Sequence, residues 1–422
     1  MSDNASVSYD FLSDEIVTQI LLRLPIKSII TSICVCKTWK SIIQNPTFIS
    51  THLHHSTTTN HLLLFTIFSG SKQIYALHND DDNDFTEHTR FDFLVDSFTI
   101  NPRFRVVATC NGLVCFSDDL LGYTNRFYLW NPCVRKYVKL PYPNFTFEDG
   151  DEFIHSIGFG FDRKTNDYKV VRMVSPQDDP DCGKDRPMVE VYTLSTGEWR
   201  MVTPVLSPIC ILHDCPTPAF VNGALHWIGV RRDTTAFVNG ALLWIGHRMN
   251  GELSAVYGNS IALFHSSYFR GFLDIWVMKE YGVASSWTKV LAFTEHNPGD
   301  SPLALGFRRN SQLVLQVQDL KLISVDLGNQ NMKDLGYQNG KDIGINTFKY
   351  TFVGSYVESL VLLDKAANGS DMRHQDKLLI KVVVTVDYIE MPIFLLKNIP
   401  IEPCSLRKQL TRRYCLLWVV KN

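Results

Sequence analysis

The chain has almost no net charge. Its 41 basic and 43 acidic side chains leave −2 with histidine neutral, so no overall field draws it to nucleic acid or to an anionic membrane. It also lacks an unbroken apolar run. The longest, residues 378–396, is interrupted by Lys381, Asp387 and Glu390, which excludes a helical bilayer span there. Residues 1–10 hold neither a basic flank nor an apolar stretch. No secretory leader or transit peptide is expected, and the reading places the protein in the cytoplasm, the nucleus or both. Signatures of catalysis are missing too. No Gly-x-Ser-x-Gly elbow occurs, and Gly158-Phe159-Gly160-Phe161 lacks the third glycine, the following helix and the lysine of a phosphate loop. That segment is expected to be a bulged inner strand.

Other chemical candidates are equally incomplete. The ten cysteines include Cys110 and Cys115, and Cys210 and Cys215 around His213-Asp214, but no second half of a zinc site accompanies either pair. In a reducing compartment these cysteines, and Cys34 and Cys36, are expected to be buried thiols. His52, His54, His55 and His61 lie in a threonine-rich stretch that reads as a solvated linker. The acidic run at residues 80–84 reads as a solvated loop. No metal and no cofactor are expected.

What is present is 422 residues with 45% hydrophobic and 20% charged side chains, the proportions of a folded protein with room for two or three domains. From Leu12 to Phe48 the apolar spacing is helical. Ser13 is placed to cap a helix whose first turn holds Asp14 and Glu15, both favourable at the positive end of the helix dipole. Ile16, Val17, Ile20, Leu21 and Leu24 make one stripe, ended by Pro25. Ile26, Ile29, Ile30 and Ile33 mark a second helix, and Val35, Trp39, Ile42 and Ile43 a third, which Asn45-Pro46 breaks. A unit this small rarely buries all its apolar side chains alone, so part of its surface is expected to meet another protein or the rest of the chain.

From about residue 62 to 363 the pattern changes to short β-type runs. Asn111-Gly112, Asn222-Gly223, Asn239-Gly240 and Ser195-Thr196-Gly197 mark turns between them. A half-repeat of strand, polar turn and aromatic-bearing strand recurs at residues 127–140, 189–202, 273–290 and, more faintly, 322–337. Four short strands per unit packed around a common axis make a β-propeller, whose ring leaves no long open edge. The tryptophans at 130, 199, 227, 244, 276 and 287 sit at β spacing and are expected mostly in core and between blades. A second, nearly perfect repeat is local: residues 219–229 (AFVNGALHWIG) return as 236–246 (AFVNGALLWIG), differing only where His226 becomes Leu243. That shift is too short for a blade.

The N-terminal motifs are Leu12-Ser13-Asp14-Glu15-Ile16-Val17, then Ile20-Leu21-Leu22-Arg23-Leu24-Pro25-Ile26-Lys27-Ser28, then Cys34-Val35-Cys36-Lys37-Thr38-Trp39. Downstream come Cys110-Asn111-Gly112-Leu113-Val114-Cys115, Trp130-Asn131-Pro132, Gly158-Phe159-Gly160-Phe161-Asp162, Asp167-Tyr168-Lys169-Val170-Val171, Val221-Asn222-Gly223 and Asp274-Ile275-Trp276-Val277-Met278-Lys279. In this order they resemble a plant F-box protein, S-locus F-box-like, with an F-box-associated, kelch-like interaction domain. The resemblance implies an α+β multidomain fold: a small three-helix F-box, then a mainly-β propeller-like domain. The expected boundaries are a disordered 1–8, an F-box at 9–55, the propeller-like domain at 60–363 and an atypical tail at 364–422.

It further implies a non-catalytic substrate-recognition subunit of an SCF-type cullin-RING ubiquitin ligase. The F-box would bind a Skp-type adaptor, and through it cullin and RING subunits; the β-rich domain would bind a protein substrate that the sequence does not identify. Neither nucleic acid nor membrane is an expected partner. Leu12, Ile16, Ile20, Leu24, Pro25, Ile29, Val35, Cys36, Lys37 and Trp39 form the expected adaptor-facing or interface-supporting set. A propeller scaffold without ligase attachment, or a degenerate F-box protein, is the alternative.

The chain departs from the family pattern in four places. Leu12-Ser13 replaces a Leu-Pro opening, and Ile30-Thr31-Ser32-Ile33 lacks two charges and an aromatic. After the duplicated block one strand of the pattern is missing, which would open a blade edge unless the second AFVNGAL copy fills it. The residues after 363 resemble nothing in the family.

Overall fold

A computed structural model of the chain describes residues 12–59, 61–69, 72–80, 85–91, 104–118, 125–146, 153–176, 188–202, 210–212, 218–231, 237–238, 241–242, 250–267, 272–294, 302–317, 321–338, 351–362, 382–392 and 411–421. The Asn239-Gly240 turn, Trp244, residues 81–84, His213, Asp214 and Cys215 lie outside these, as do residues 1–8.

The three expected helices are α1 (Asp14–Leu21), α2 (Ile26–Ser32) and α3 (Lys37–Ile43). Ser13 stands at the N-cap of α1 with extended backbone but makes no side-chain cap bond; its side chain pairs with Glu15 instead. A fourth helix, α4 (Pro46–Thr59), corrects the linker reading of the histidine and threonine stretch. Asn45-Pro46 does end α3, but it also starts α4. Proline fits the first helical position, and Asn45 Oδ1 accepts the Thr47 N–H at 2.8 Å. Thr51, Thr57, Thr58 and Thr59 turn their hydroxyls back onto carbonyls of the preceding turn, so they stay helical without seeking other partners. Phe48, Ile49, His52 and Ser56 form the buried face of α4.

Strands follow in propeller order. Blade 1 holds β1 (Leu62–Ser69), β2 (Lys72–Asn79) and β3 (Glu87–Phe91). Blade 2 holds β4 (Arg105–Cys110), β5 (Leu113–Ser117), β6 (Phe127–Asn131) and β7 (Lys136–Lys139). Blade 3 holds β8 (Phe153–Asp162), β9 (Asp167–Pro176), β10 (Met188–Thr193) and β11 (Glu198–Val202). The fourth sheet starts with β12 (Cys210–Leu212), β13 (Ala219–Val221) and β14 (Ala224–Arg231), followed by a separate pair, β15 (Phe237–Val238) and β16 (Ala241–Leu242). Blade 5 holds β17 (Asn250–Tyr257), β18 (Ser260–Ser267), β19 (Phe272–Met278) and β20 (Trp287–Thr294). Blade 6 holds β21 (Leu303–Phe307), β22 (Leu313–Gln316), β23 (Lys321–Val325) and β24 (Met332–Gln338). β25 (Val353–Tyr356) then returns to pair with β1 as the innermost strand of blade 1. Last come β26 (Val382–Pro392) and β27 (Thr411–Lys421). Among the described residues five four-stranded blades and one sheet of different make-up thus close a ring, whose inner strands touch in the order β4, β8, β13, β17, β21, β25.

The four half-repeats found in the sequence are the third and fourth strands of blades 2, 3, 5 and 6. The core lies between successive blades. Val107, Leu113, Cys115, Phe127 and Leu129 of blade 2 meet Ile157, Phe159, Tyr168, Val170, Tyr192 and Trp199 of blade 3. Trp130, Trp199 and Trp227 are buried. Gly158 and Gly160 lie in β8 in unbroken register with β9, so the expected bulge is absent. Their role is close approach: a Cβ on Gly160 would stand 2.5 Å from the Phe220 ring of the fourth sheet.

Candidate functional site

The helical module splits its apolar residues into two sets. Val17, Leu21, Leu22, Ile26, Ile29, Ile43, Phe48 and Ile49 pack inward. Leu12 (53% exposed), Ile16 (48%), Ile20 (41%) and Val35 (63%) face outward. The single stripe expected on α1 is therefore two: Val17 and Leu21 hold the module together, and Ile16 and Ile20, one residue back on the helix, remain uncovered. Pro25, Cys36 and Lys37 are also exposed, Leu24 and Trp39 are half-buried, and Ile29 is fully buried. The Trp39 backbone N–H donates to Cys36 Sγ at 3.4 Å, starting α3.

Cys34 and Cys36 are exposed, a correction to the reading of them as buried thiols. Both lie in the connection from α2 to α3, where neighbouring side chains are carried outward rather than along one helix face. Cys110 and Cys133, by contrast, are half-buried against apolar clusters, and burial pushes their thiols up to about 12. Neither is an effective nucleophile near neutrality.

The module is seated on one end of the propeller. Its core continues into Leu360 and Val361, beyond β25, and into Cys133 and Val134 in the β6–β7 turn. Asn131, fully buried, fastens that seam. Its Nδ2 donates to Ser359 O (2.9 Å) and Val361 O (2.8 Å), and its Oδ1 accepts the Cys133 N–H at 2.9 Å. Gly112 lies against the same segment. Its φ is +79°, and a Cβ there would stand 2.3 Å from Ser359 Oγ, so the Asn-Gly turn answers both conformation and space. Trp130-Asn131-Pro132 carries no local mark of the partner in this seam, because that partner lies far along the chain. The signal that existed was a polar asparagine inside an otherwise apolar strand end.

Beside the seam is an open cleft of about 660 Å³, lined among others by Arg23, Pro25, His52, His55, His61 and His88. His88 Nε2 approaches Glu358 Oε1 at 3.5 Å. His52 is 4% exposed, and burial, with His55 nearby, lowers its pKa to about 4. His226 in the fourth sheet is likewise lowered to about 4 by burial. Its Nδ1 lies 3.1 Å from the Ala219 carbonyl, which only accepts, so Nδ1 carries the proton and Nε2 accepts from Tyr281 Oη at 3.1 Å.

Both histidines fold in neutral. The unfolded chain takes up protons below about pH 6.5, and the folded chain resists them until about pH 4. Stability is therefore complete above 6.5 and falls on acidification toward 4. The span from 6.5 to about 4, at 1.36 kcal/mol per pH unit, gives up to about 3 kcal/mol for each group. Urea midpoints at pH 7 and pH 5 are expected to differ markedly in the native chain and less in the double variant His52→Leu, His226→Leu. Equal shifts in both would refute this.

Among the described residues the turns on the module's side, 111–112, 163–166, 194–197 and 326–331 among them, are short. The connection that follows β7 starts from the opposite end of the propeller. Tyr142, at that end, is 58% exposed.

Residues 10–51 match the F-box domain family, and residues 63–363 match the F-box associated beta propeller domain family. The chain belongs to the F-box proteins that carry this propeller. Among similar curated proteins of Arabidopsis thaliana, an F-box/kelch-repeat protein is 28% identical over 66% of this chain and 78% of its own length. The F-box protein CPR1 is 26% identical over 75% of this chain and 82% of its own. A further F-box protein is 28% identical over 68% and 73%. The F-box match ends inside α4, so this helix bridges the two matched regions. Among the described residues no helix is long and apolar enough to cross a membrane.

Proposed function

We propose that this F-box protein is the non-catalytic substrate-recognition subunit of an SCF-type cullin-RING ubiquitin ligase. The F-box docks on a Skp-type adaptor, which links it to cullin and RING subunits, and the propeller holds a target protein. One observation carries the reading. Leu12, Ile16, Ile20 and Val35 remain open to water on a module whose other large apolar residues are buried or half-buried, and which packs against the propeller through Leu360, Val361, Cys133 and Val134. An apolar patch of this kind on a well-packed unit fits a partner.

The two ends of the propeller suit a division of labour. The module occupies one end of the propeller, and the loops of the opposite end are free to vary in sequence over a fixed scaffold. We place the target there, held at a set distance from the adaptor, so that the chain contributes proximity rather than chemistry. The test is co-purification of the full chain with a Skp-type adaptor and cullin. Stoichiometric capture supports the reading. A monodisperse, folded chain that captures neither would overturn it in favour of a propeller scaffold without ligase attachment.

A further inference from the structure

The fourth sheet differs from its neighbours in where its strands come from. In blades 2, 3, 5 and 6 four consecutive strands pair in order, and in blade 1 only β25 is borrowed from farther along. In the fourth sheet β14 has β12 and β13 on its inner side, set end to end along it. Its outer side is paired to β27, from the far end of the chain, and β27 in turn to β26. The local candidate for that place does not take it. Among the described residues the second AFVNGAL copy pairs only with itself: Phe237↔Leu242 and Val238↔Ala241 reproduce Phe220↔Leu225 and Val221↔Ala224 of the first copy.

We infer that the outer edge of β14 is a strand-acceptor site and that its occupant is the chain's own C-terminal hairpin, β26–β27, which supplies the third and fourth strands of the blade. The order from the axis outward, β12 with β13, β14, β27, β26, has the depth and the antiparallel sense of a regular blade. The pairing is extended: Leu225↔Val419 through Val230↔Tyr414 join β14 to β27, and eleven register pairs join β27 to β26. The hairpin sequences, VVVTVDYIEMP and TRRYCLLWVVK, are rich in β-branched and aromatic residues. Within the apolar stretch at 378–396, residues 382–392 are thereby explained as strand. Each party also needs the other. A lone two-stranded ribbon is marginal in water, and β14 without β27 would expose an unpaired edge in the middle of the chain's fold. Residues beyond 363, outside both family matches, thus acquire a role: they close the propeller a second time, as β25 closes it first.

The register supplies its own probe. Cys415 of β27 stands opposite Gly229 of β14 on one side and Tyr388 of β26 on the other. Directly opposed residues of antiparallel strands lie about 4.5–5.5 Å apart at Cα, within reach of a disulfide. Full-length Gly229→Cys and Tyr388→Cys chains would each be oxidised mildly and mapped by peptide mass. In both, the majority of chains are expected to carry the link to Cys415 within one polypeptide. A link in Tyr388→Cys but none in Gly229→Cys would mean a hairpin that is not seated on β14, and would overturn the inference. So would a 229–415 link found only between two chains, since the occupant would then be a second copy. Amide exchange on the unsubstituted chain is independent of either variant. Residues 414–419 are expected to be protected like 225–230, and exchange at the unprotected rate would overturn the proposal equally.

Discussion

Replacing Ile16 and Ile20 together by aspartate is expected to leave the protein folded and to abolish capture of a Skp-type adaptor. Both side chains are more than two-fifths exposed in the free chain, so the substitution removes no core contact. The α1 residues that hold the module together, Val17 and Leu21, stay in place. Covering what remains exposed of two isoleucines contributes about 1 kcal/mol or more for each side chain, and a carboxylate buried without a partner adds a desolvation penalty of several kcal/mol. The affinity loss is therefore about 100-fold at least, read by titration calorimetry against purified adaptor, with an unchanged thermal midpoint.

Leu21→Ala is the contrasting variant. Leu21 has no exposure, and its truncation costs about 2–5 kcal/mol of stability, so any binding loss there tracks unfolding. Trp39→Ala falls between the two, because Trp39 is half-buried against the same core. Native-like adaptor affinity in the Ile16→Asp, Ile20→Asp chain would remove the physical basis for the ligase reading.

Periodicity located α1, α2 and α3 but not which side of α1 faces outward, because Ile16, Val17, Ile20 and Leu21 are equally apolar. Val17 and Leu21 turn in onto a core that joins α2, α3 and α4 to Leu360, Val361, Cys133 and Val134, and those last residues are remote in sequence. The half-repeats were legible because strands three and four of each blade form a local hairpin with its own turn. Closure was not legible. β25 reaching β1, Asn131 reaching Ser359 and β27 reaching β14 are all long-range, and a lone chain carries no local mark of them. Polar residues misled for the same reason. His52 looked like part of a solvated linker until α4 turned it inward. Asp80 looked like the start of a solvated acidic run, yet it is 5% exposed and ion-paired across a blade boundary.

That ion pair leads to the second large expected effect. Asp80 follows β2 of blade 1, and Arg308 follows β21 of blade 6, so together they span the junction where the ring closes. Arg308 Nε donates to Asp80 Oδ1 at 2.9 Å and Nη2 to the Asp80 carbonyl at 2.8 Å, while the Arg309 N–H donates to Asp80 Oδ2 at 2.8 Å. The guanidinium also lies over the Phe85 ring, 5.1 Å from its centroid, a further attraction between a cation and a π face. Neither charged side chain is more than 3% exposed.

Removing one partner strands the other charge away from water, and Asp80→Ala is expected to cost about 3–5 kcal/mol. Arg308→Met should cost a similar amount. The double variant should cost clearly less than the sum, because with both side chains gone no buried charge is left unpaired. Urea unfolding of the four chains closes the cycle. A cost for Asp80→Ala below about 1 kcal/mol would resemble an exposed pair, and would mean that the apolar cluster of Leu63, Phe65 and Phe85 with Val314, Leu322 and Leu335 fastens blade 6 to blade 1 without it.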